Sequence, residues 1–144
     1  MTIRDILRGK GAAVFTTSPD APVGEAMRTM VQHDIGALVV TEEGAVRGII
    51  TERDLLRAGA VDVGRLSAGR VRDLMTADVV MAAPTAEIRE VMDTLTERRI
   101  RHLPVVENGA LCGMISIGDV VNALRQSTEE ENVYLHAYIS GTPL

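Results

Sequence analysis

Aromatic side chains are nearly missing from this chain: among 144 residues, Phe15, Tyr134 and Tyr138 are the full set, and there is no tryptophan. That excludes the stacked-base mode of holding single-stranded nucleic acid. It also forces the core to be aliphatic, since hydrophobic residues still make up 46% of the chain. Positive charge is in deficit as well, with a net charge of -5. A nucleic-acid partner needs a basic footprint, so none is expected. Cys112 is the single cysteine, which leaves no internal disulfide and no thiolate metal cluster. His33, His102 and His136 lack metal-ligand spacing with carboxylates, so no metal is expected. No apolar run approaches a membrane span, and "MTIRDILRGK" is too short and too charged for a signal peptide. The expectation is a soluble cytoplasmic protein that does not engage a membrane. No Ser-His-Asp, paired-carboxylate or phosphate-loop pattern occurs, and Gly9-Lys10-Gly11 is too short for a Walker motif. An enzyme is therefore not expected, nor a required cofactor.

What the chain does have is an internal repeat. An offset of 65 residues aligns Ala12–Ala58 with Ala77–Ala123 without a gap. Identities include Pro19/Pro84, Glu25/Glu90, Met27/Met92, Leu38/Leu103, Gly44/Gly109, Gly48/Gly113 and Asp54/Asp119. Upstream, with a small shift, "IRDIL" at 3–7 resembles "VRDLM" at 71–75. An ungapped match through glycines and apolar positions alike implies duplication of a folded unit.

Each copy predicts a short strand (Ala13–Thr16; Val79–Ala82), then a helix, two strands joined by a turn, and a second helix. The first helix carries Val23, Ala26, Met27 and Met30 on one face, matched by Ile88, Val91, Met92 and Leu95. Pro22 suits its first turn. Gly44 and Gly109 mark the turns. The fold class is α/β: two β-α-β-β-α repeats, each marginal alone, packed with pseudo-two-fold symmetry. Residues 1–59 form the first repeat, 60–70 a linker, 71–126 the second repeat, and 127–144 a helical tail. In that tail Tyr134, Leu135, Tyr138 and Ile139 recur at helical spacing, a stripe that has to cover something.

The segments "GIITERD" (48–54) and "GMISIGD" (113–119) bear the chemistry. Thr51-x-x-Asp54 and Ser116-x-x-Asp119 are capping-box signatures that start helices. A capping box alone does not account for the glycines that precede them. An ionised carboxylate there is acceptor-only and can receive both hydroxyls of a cis-diol, while the helix N-terminus stabilises its charge. The same carboxylate repels phosphate, so cations are needed nearby: Arg53 beside Asp54, and Arg101 with His102 in the second copy. The first copy has Gly36 and Ala37 where the second has Arg101 and His102, and the second has Gly118 where the first has Arg53. The two sites are chemically unequal.

With "DIGALVVTEEGAVRGIITERDLLR" (34–57) and "RIRHLPVVENGALCGMISIGDVVNAL" (99–124), the chain resembles the tandem cystathionine-β-synthase-type (CBS) domain pair, in its small stand-alone form. The resemblance spans nearly all of the chain ahead of the tail. It implies a non-catalytic sensor that binds an adenine nucleotide or adenosyl ligand, such as AMP, ADP, ATP, NAD or S-adenosylmethionine, between the repeats. Asp54 and Asp119 are then implied to hold ribose hydroxyls, and Thr51 and Ser116 to contact ribose or phosphate. Lacking aromatics, the adenine would lie among Ala37, Val39, Ile50, Pro104 and Ile115, with Thr16 and Met81 at the margin. A homodimer and an unidentified regulated protein are the partners implied. The competing reading is an interaction module that keeps the fold and has no significant nucleotide affinity.

Overall fold

Apolar residues spaced three and four apart are buried along two matching helices, and the rest of each repeat is arranged around them. The computed structural model describes residues 1–140, with side chains described through Thr128. The tail stripe from Tyr134 to Ile139 lies outside the described side chains. In the first repeat, α1 (Ile3–Lys10) precedes β1 (Thr16–Thr17), α2 (Val23–His33), β2 (Ala37–Glu42), β3 (Ala45–Thr51) and α3 (Glu52–Val61). Then come α4 (Gly64–Ala68), α5 (Val71–Leu74), α6 (Ile88–Arg98), β4 (His102–Glu107), β5 (Ala110–Ser116) and α7 (Ile117–Ser140). Residues 60–70, read as linker, thus hold a short helix. Its Leu66 packs against the first core, a contact that the local sequence does not advertise. None of the described helices is long and apolar enough to cross a membrane.

The hairpins are near copies. β2 runs antiparallel to β3, and β4 to β5, each with an irregularity at the same place, Val40/Thr41 and Val105/Val106. Glu43-Gly44 and Asn108-Gly109 turn them with φ of 52° and 79°, and 53° and 78°. Two successive positive φ values match the right-handed strand twist, and the second position of each is a glycine that adopts it freely.

The opening strands differ from expectation and from each other. The first lies at Thr16–Thr17, parallel to β2. The second shrinks to one bridge, Ala82 to Val105. The cause is Pro104. Its counterpart Val39 donates its N–H to the Phe15 carbonyl at 3.3 Å. Proline has no N–H to donate, so the equivalent rung cannot form.

There are two aliphatic cores, and they are cross-connected. The first holds Val23, Ala26, Met30, Leu38, Val40, Ile50 and Ala58, completed by Val71 and Leu74 of α5. The second holds Ile88, Val91, Leu95, Leu103, Val105, Ile115, Val120 and Ala123, completed by Ile3 of α1. Each opener therefore packs on the other repeat. Backbone bonds fix the exchange: Ile3 and Arg4 donate to Ala86 and Pro84, and Val71 and Arg72 donate to Ala21 and Pro19, at 2.9–3.0 Å. Burying one such aliphatic side chain stabilises by about 1.5–3 kcal/mol.

The exchange also explains the two glycines before the helix starts. A Cβ on Gly48 would lie 2.8 Å from the Met75 sulfur and 2.8 Å from the Thr76 carbonyl oxygen; one on Gly113 would lie 2.8 Å from both Leu7 methyl groups. Both glycines are slots for the incoming opener.

Candidate functional site

Strand alternation gives each hairpin two covered faces. Leu38, Val40 and Ile50 belong to the first helix-side core. Val39 and Ile49, fully or nearly buried yet outside that cluster, lie on the opposite face, towards the seam where β3 meets β5. Ala37 shares this register, and in the second copy His102, Pro104 and Met114 take the matching positions. Of the expected base neighbours, Ala37, Val39 and Pro104 therefore lie on the seam face. Ile50 and Ile115 do not: both are fully buried in the helix-side cores, one residue out of phase. Ile49 and Met114 replace them. Thr16 lies beside Val39, and Met81 precedes the Ala82 bridge; both are exposed.

The first helix start forms around Asp54. The Asp54 carboxylate accepts the Thr51 N–H at 2.9 Å and the Thr51 hydroxyl at 3.1 Å, while the Asp54 N–H donates to Thr51 Oγ1 at 3.2 Å. This is a complete capping box on α3. Its other oxygen, Oδ1, accepts the Thr76 hydroxyl at 3.2 Å. Thr76 is held by two backbone bonds to Ile49, at 2.8 and 2.9 Å. Ala37 sits directly opposite Thr51. Arg53 is exposed and makes no ion pair among the described residues.

Around Asp119 the same box recurs with a different third member. Asp119 Oδ2 accepts the Ser116 N–H at 2.9 Å, and the Asp119 N–H donates to Ser116 Oγ at 3.2 Å. The Lys10 ammonium donates to the same Oδ2 at 2.7 Å and to the Met114 carbonyl at 2.8 Å. Burial pushes the Asp119 carboxyl upward, but the Lys10 hydrogen bond and the Ser116 N–H outweigh it and hold the group below its ordinary value. The sequence does not single out Lys10, because Gly9-Lys10-Gly11 matches no phosphate loop. The usable signal was the opener itself: α1 runs on past Leu7 to Lys10, while α5 stops at Leu74.

His102, opposite Ser116, stands among charges. Burial above all, and then the Arg101 guanidinium, push its pKa below the ordinary imidazole value, against the Glu52 and Asp119 carboxylates. The ring is therefore neutral at pH 7 and offers a hydrogen bond rather than a charge, leaving Arg101 and Lys10 as the cations there. Glu52, from the first repeat, is a neighbour that the sequence did not single out. Its carboxylate fills the space in front of Gly36, at 3.2 Å from where a Cβ would stand.

Because folding lowers this pKa, the unfolded chain binds the extra proton as pH falls. The stability that neutral His102 contributes is present above 6.5 and is lost below it. Between about pH 7.5 and 5.5, wild type should lose more stability than His102→Gln in urea titrations. Parallel losses would show that His102 does not titrate out of step with folding.

The profile of the CBS domain matches residues 3–61 and 71–126. The chain is 38% identical over 149 residues to the mitochondrial CBS domain-containing protein CBSX3 of Arabidopsis thaliana, covering 97% of this chain and 72% of that one. It is also similar to the crystal structure of the CBS-domain containing protein ATU1752 from Agrobacterium tumefaciens, at 44% identity and a TM-score of 0.82, over 85% of this chain and 98% of that one. CBSX2, solved in complex with AMP, shares the fold with a TM-score of 0.72 at 23% identity, over 87% and 97% of the two chains.

Proposed function

This chain belongs to the CBS-domain family, and on that ground we propose that it is a non-catalytic regulatory module that binds an adenine nucleotide along the seam between its repeats. The observation that carries this reading is the pair of half-buried carboxylates, Asp54 and Asp119, each fixed by a capping box and edged by the aliphatic seam. Each keeps acceptor capacity for a ribose cis-diol. Thr51 and Ser116 flank the sugar, Arg53 and Arg101 face the phosphates, and His102 donates a neutral N–H. Ala37, Val39, Ile49, Pro104 and Met114 line the base, with Thr16 and Met81 at the rim. AMP is the first ligand to test, because the same fold holds AMP in CBSX2.

Occupancy shifts the module between conformations that a regulated protein distinguishes. The module acts in the cytoplasm as a homodimer. Exposed Leu56 and Val121, which occupy equivalent places on α3 and α7, and Val31 on α2 supply apolar surface for the second copy.

A thermal-shift screen with AMP, ADP, ATP, NAD(H), S-adenosylmethionine and GTP tests the reading, with sedimentation reporting the dimer in the same samples. At a hundredfold excess over Kd, a ligand specific for the folded state adds about 2.7 kcal/mol of stability. Asp54→Ala and Asp119→Ala should each remove part of the shift given by AMP. If no adenine compound moves the midpoint, the chain is an interaction module without nucleotide affinity.

A further inference from the structure

We propose that Lys10 sets the selectivity of the Asp119 seat, so that it favours 5′-phosphorylated ribosides over bare nucleosides. This rests on the reading of Asp54 and Asp119 as ribose seats. In the folded chain the Asp119 seat already has an occupant from the protein itself. The Lys10 ammonium is bound at 2.7 Å to the carboxylate and at 2.8 Å to the Met114 carbonyl. Its side chain is 36% exposed and that of Asp119 23%, so the pair is partly desolvated yet free to open.

A cis-diol that enters finds Oδ1 open, while Lys10 holds Oδ2 and offsets much of the carboxylate's charge. A nucleoside's hydroxyls donate to a carboxylate whose charge an ammonium already offsets, which weakens bonds that draw their strength from that charge. A nucleotide brings its own anion. The lysine stem has four carbons and rotatable donors, so the ammonium can move from carboxylate to phosphate as the hydroxyls replace it. One residue thus weakens the empty seat as an acceptor and contacts the phosphate of the filled one.

Asp54 has no such gate. Its third contact is the neutral Thr76 hydroxyl, at 3.2 Å on the other oxygen, Oδ1, and a diol replaces it like for like. The two seats then differ in chemistry: Asp54 accepts adenosine and AMP alike, whereas Asp119 favours AMP.

Titration calorimetry of the full chain with adenosine and with AMP tests this. In Asp54→Ala, where only the Asp119 seat is left, AMP should bind far more tightly than adenosine. Adding Lys10→Gln to that variant should weaken AMP about tenfold and tighten adenosine, while Lys10→Arg keeps the preference for AMP. Lys10 lies on the surface, so circular dichroism should show all variants folded. If Lys10→Gln leaves the ratio of AMP to adenosine affinity unchanged, the role assigned to Lys10 is wrong although the seats stand. If neither compound binds wild type or any variant, the seats themselves are wrong and the proposal falls with them.

Discussion

Ile3→Ala should destabilise the protein by about 3 kcal/mol, and the damage should appear at the far end of the sequence. Ile3 is fully buried and packs with Ile88, Val91, Leu95, Leu103 and Ile115, none of which belongs to its own repeat. Truncation to alanine leaves a cavity that a well-packed aliphatic cluster closes only in part. Hydrogen exchange should accelerate first in α6, β4 and β5, while β2 and β3 keep their protection. The mirror variant Val71→Ala should do the reverse, loosening α2, β2 and β3, because Val71 completes the first core. If exchange in Ile3→Ala rises first in β2 and β3, the exchanged packing is not the solution structure.

Gly48→Ala and Gly113→Ala should have unequal effects, although the two glycines are aligned in the repeat. A methyl on Gly48 meets the Thr76 carbonyl oxygen at 2.8 Å as well as the Met75 sulfur. That carbonyl cannot yield, because Thr76 is tied to Ile49 in both directions. A methyl on Gly113 meets only the end of the Leu7 side chain, which can change rotamer. The expected costs are about 2–3 kcal/mol for Gly48→Ala and about 1 kcal/mol for Gly113→Ala. Urea midpoints measured side by side decide it, and equal losses would rule out the backbone contact as the cause. In Gly48→Ala, adenosine affinity should also fall, because pushing Thr76 away disturbs its bond to Asp54.

The duplication, the helix starts and the hairpin turns were all legible in the sequence, because each is a local pattern. Thr51-x-x-Asp54 reads as a cap wherever it occurs, and the apolar spacing from Val23 to Met30 is indifferent to its partner. The same indifference hid the exchange. "IRDIL" shows that one face needs cover but carries no mark of which repeat supplies it. Pro104 could have foretold the loss of the second edge strand, since a missing N–H is visible in the sequence. The choice between Ile49 and Ile50 could not be read, because a run of buried residues such as "GIIT" carries no alternation and both faces of the hairpin are covered. Lys10 was illegible for another reason: its partner Asp119 lies in the other repeat, and no periodicity links them.

The crossed openers also bear on how the chain comes into being. On the ribosome, Ile3 emerges long before Pro84, Ala86 and the helix that buries it. The first hairpin likewise waits for Val71 and Leu74 to finish its core. The first core can close once Leu74 has been made, whereas Ile3 stays uncovered until the second repeat follows. Long-range closure of this kind slows folding, and the apolar face of α1 is open to chaperones or to a neighbouring nascent chain in the meantime. The duplication that made the seam thus also makes the second repeat depend on a segment synthesised before the first.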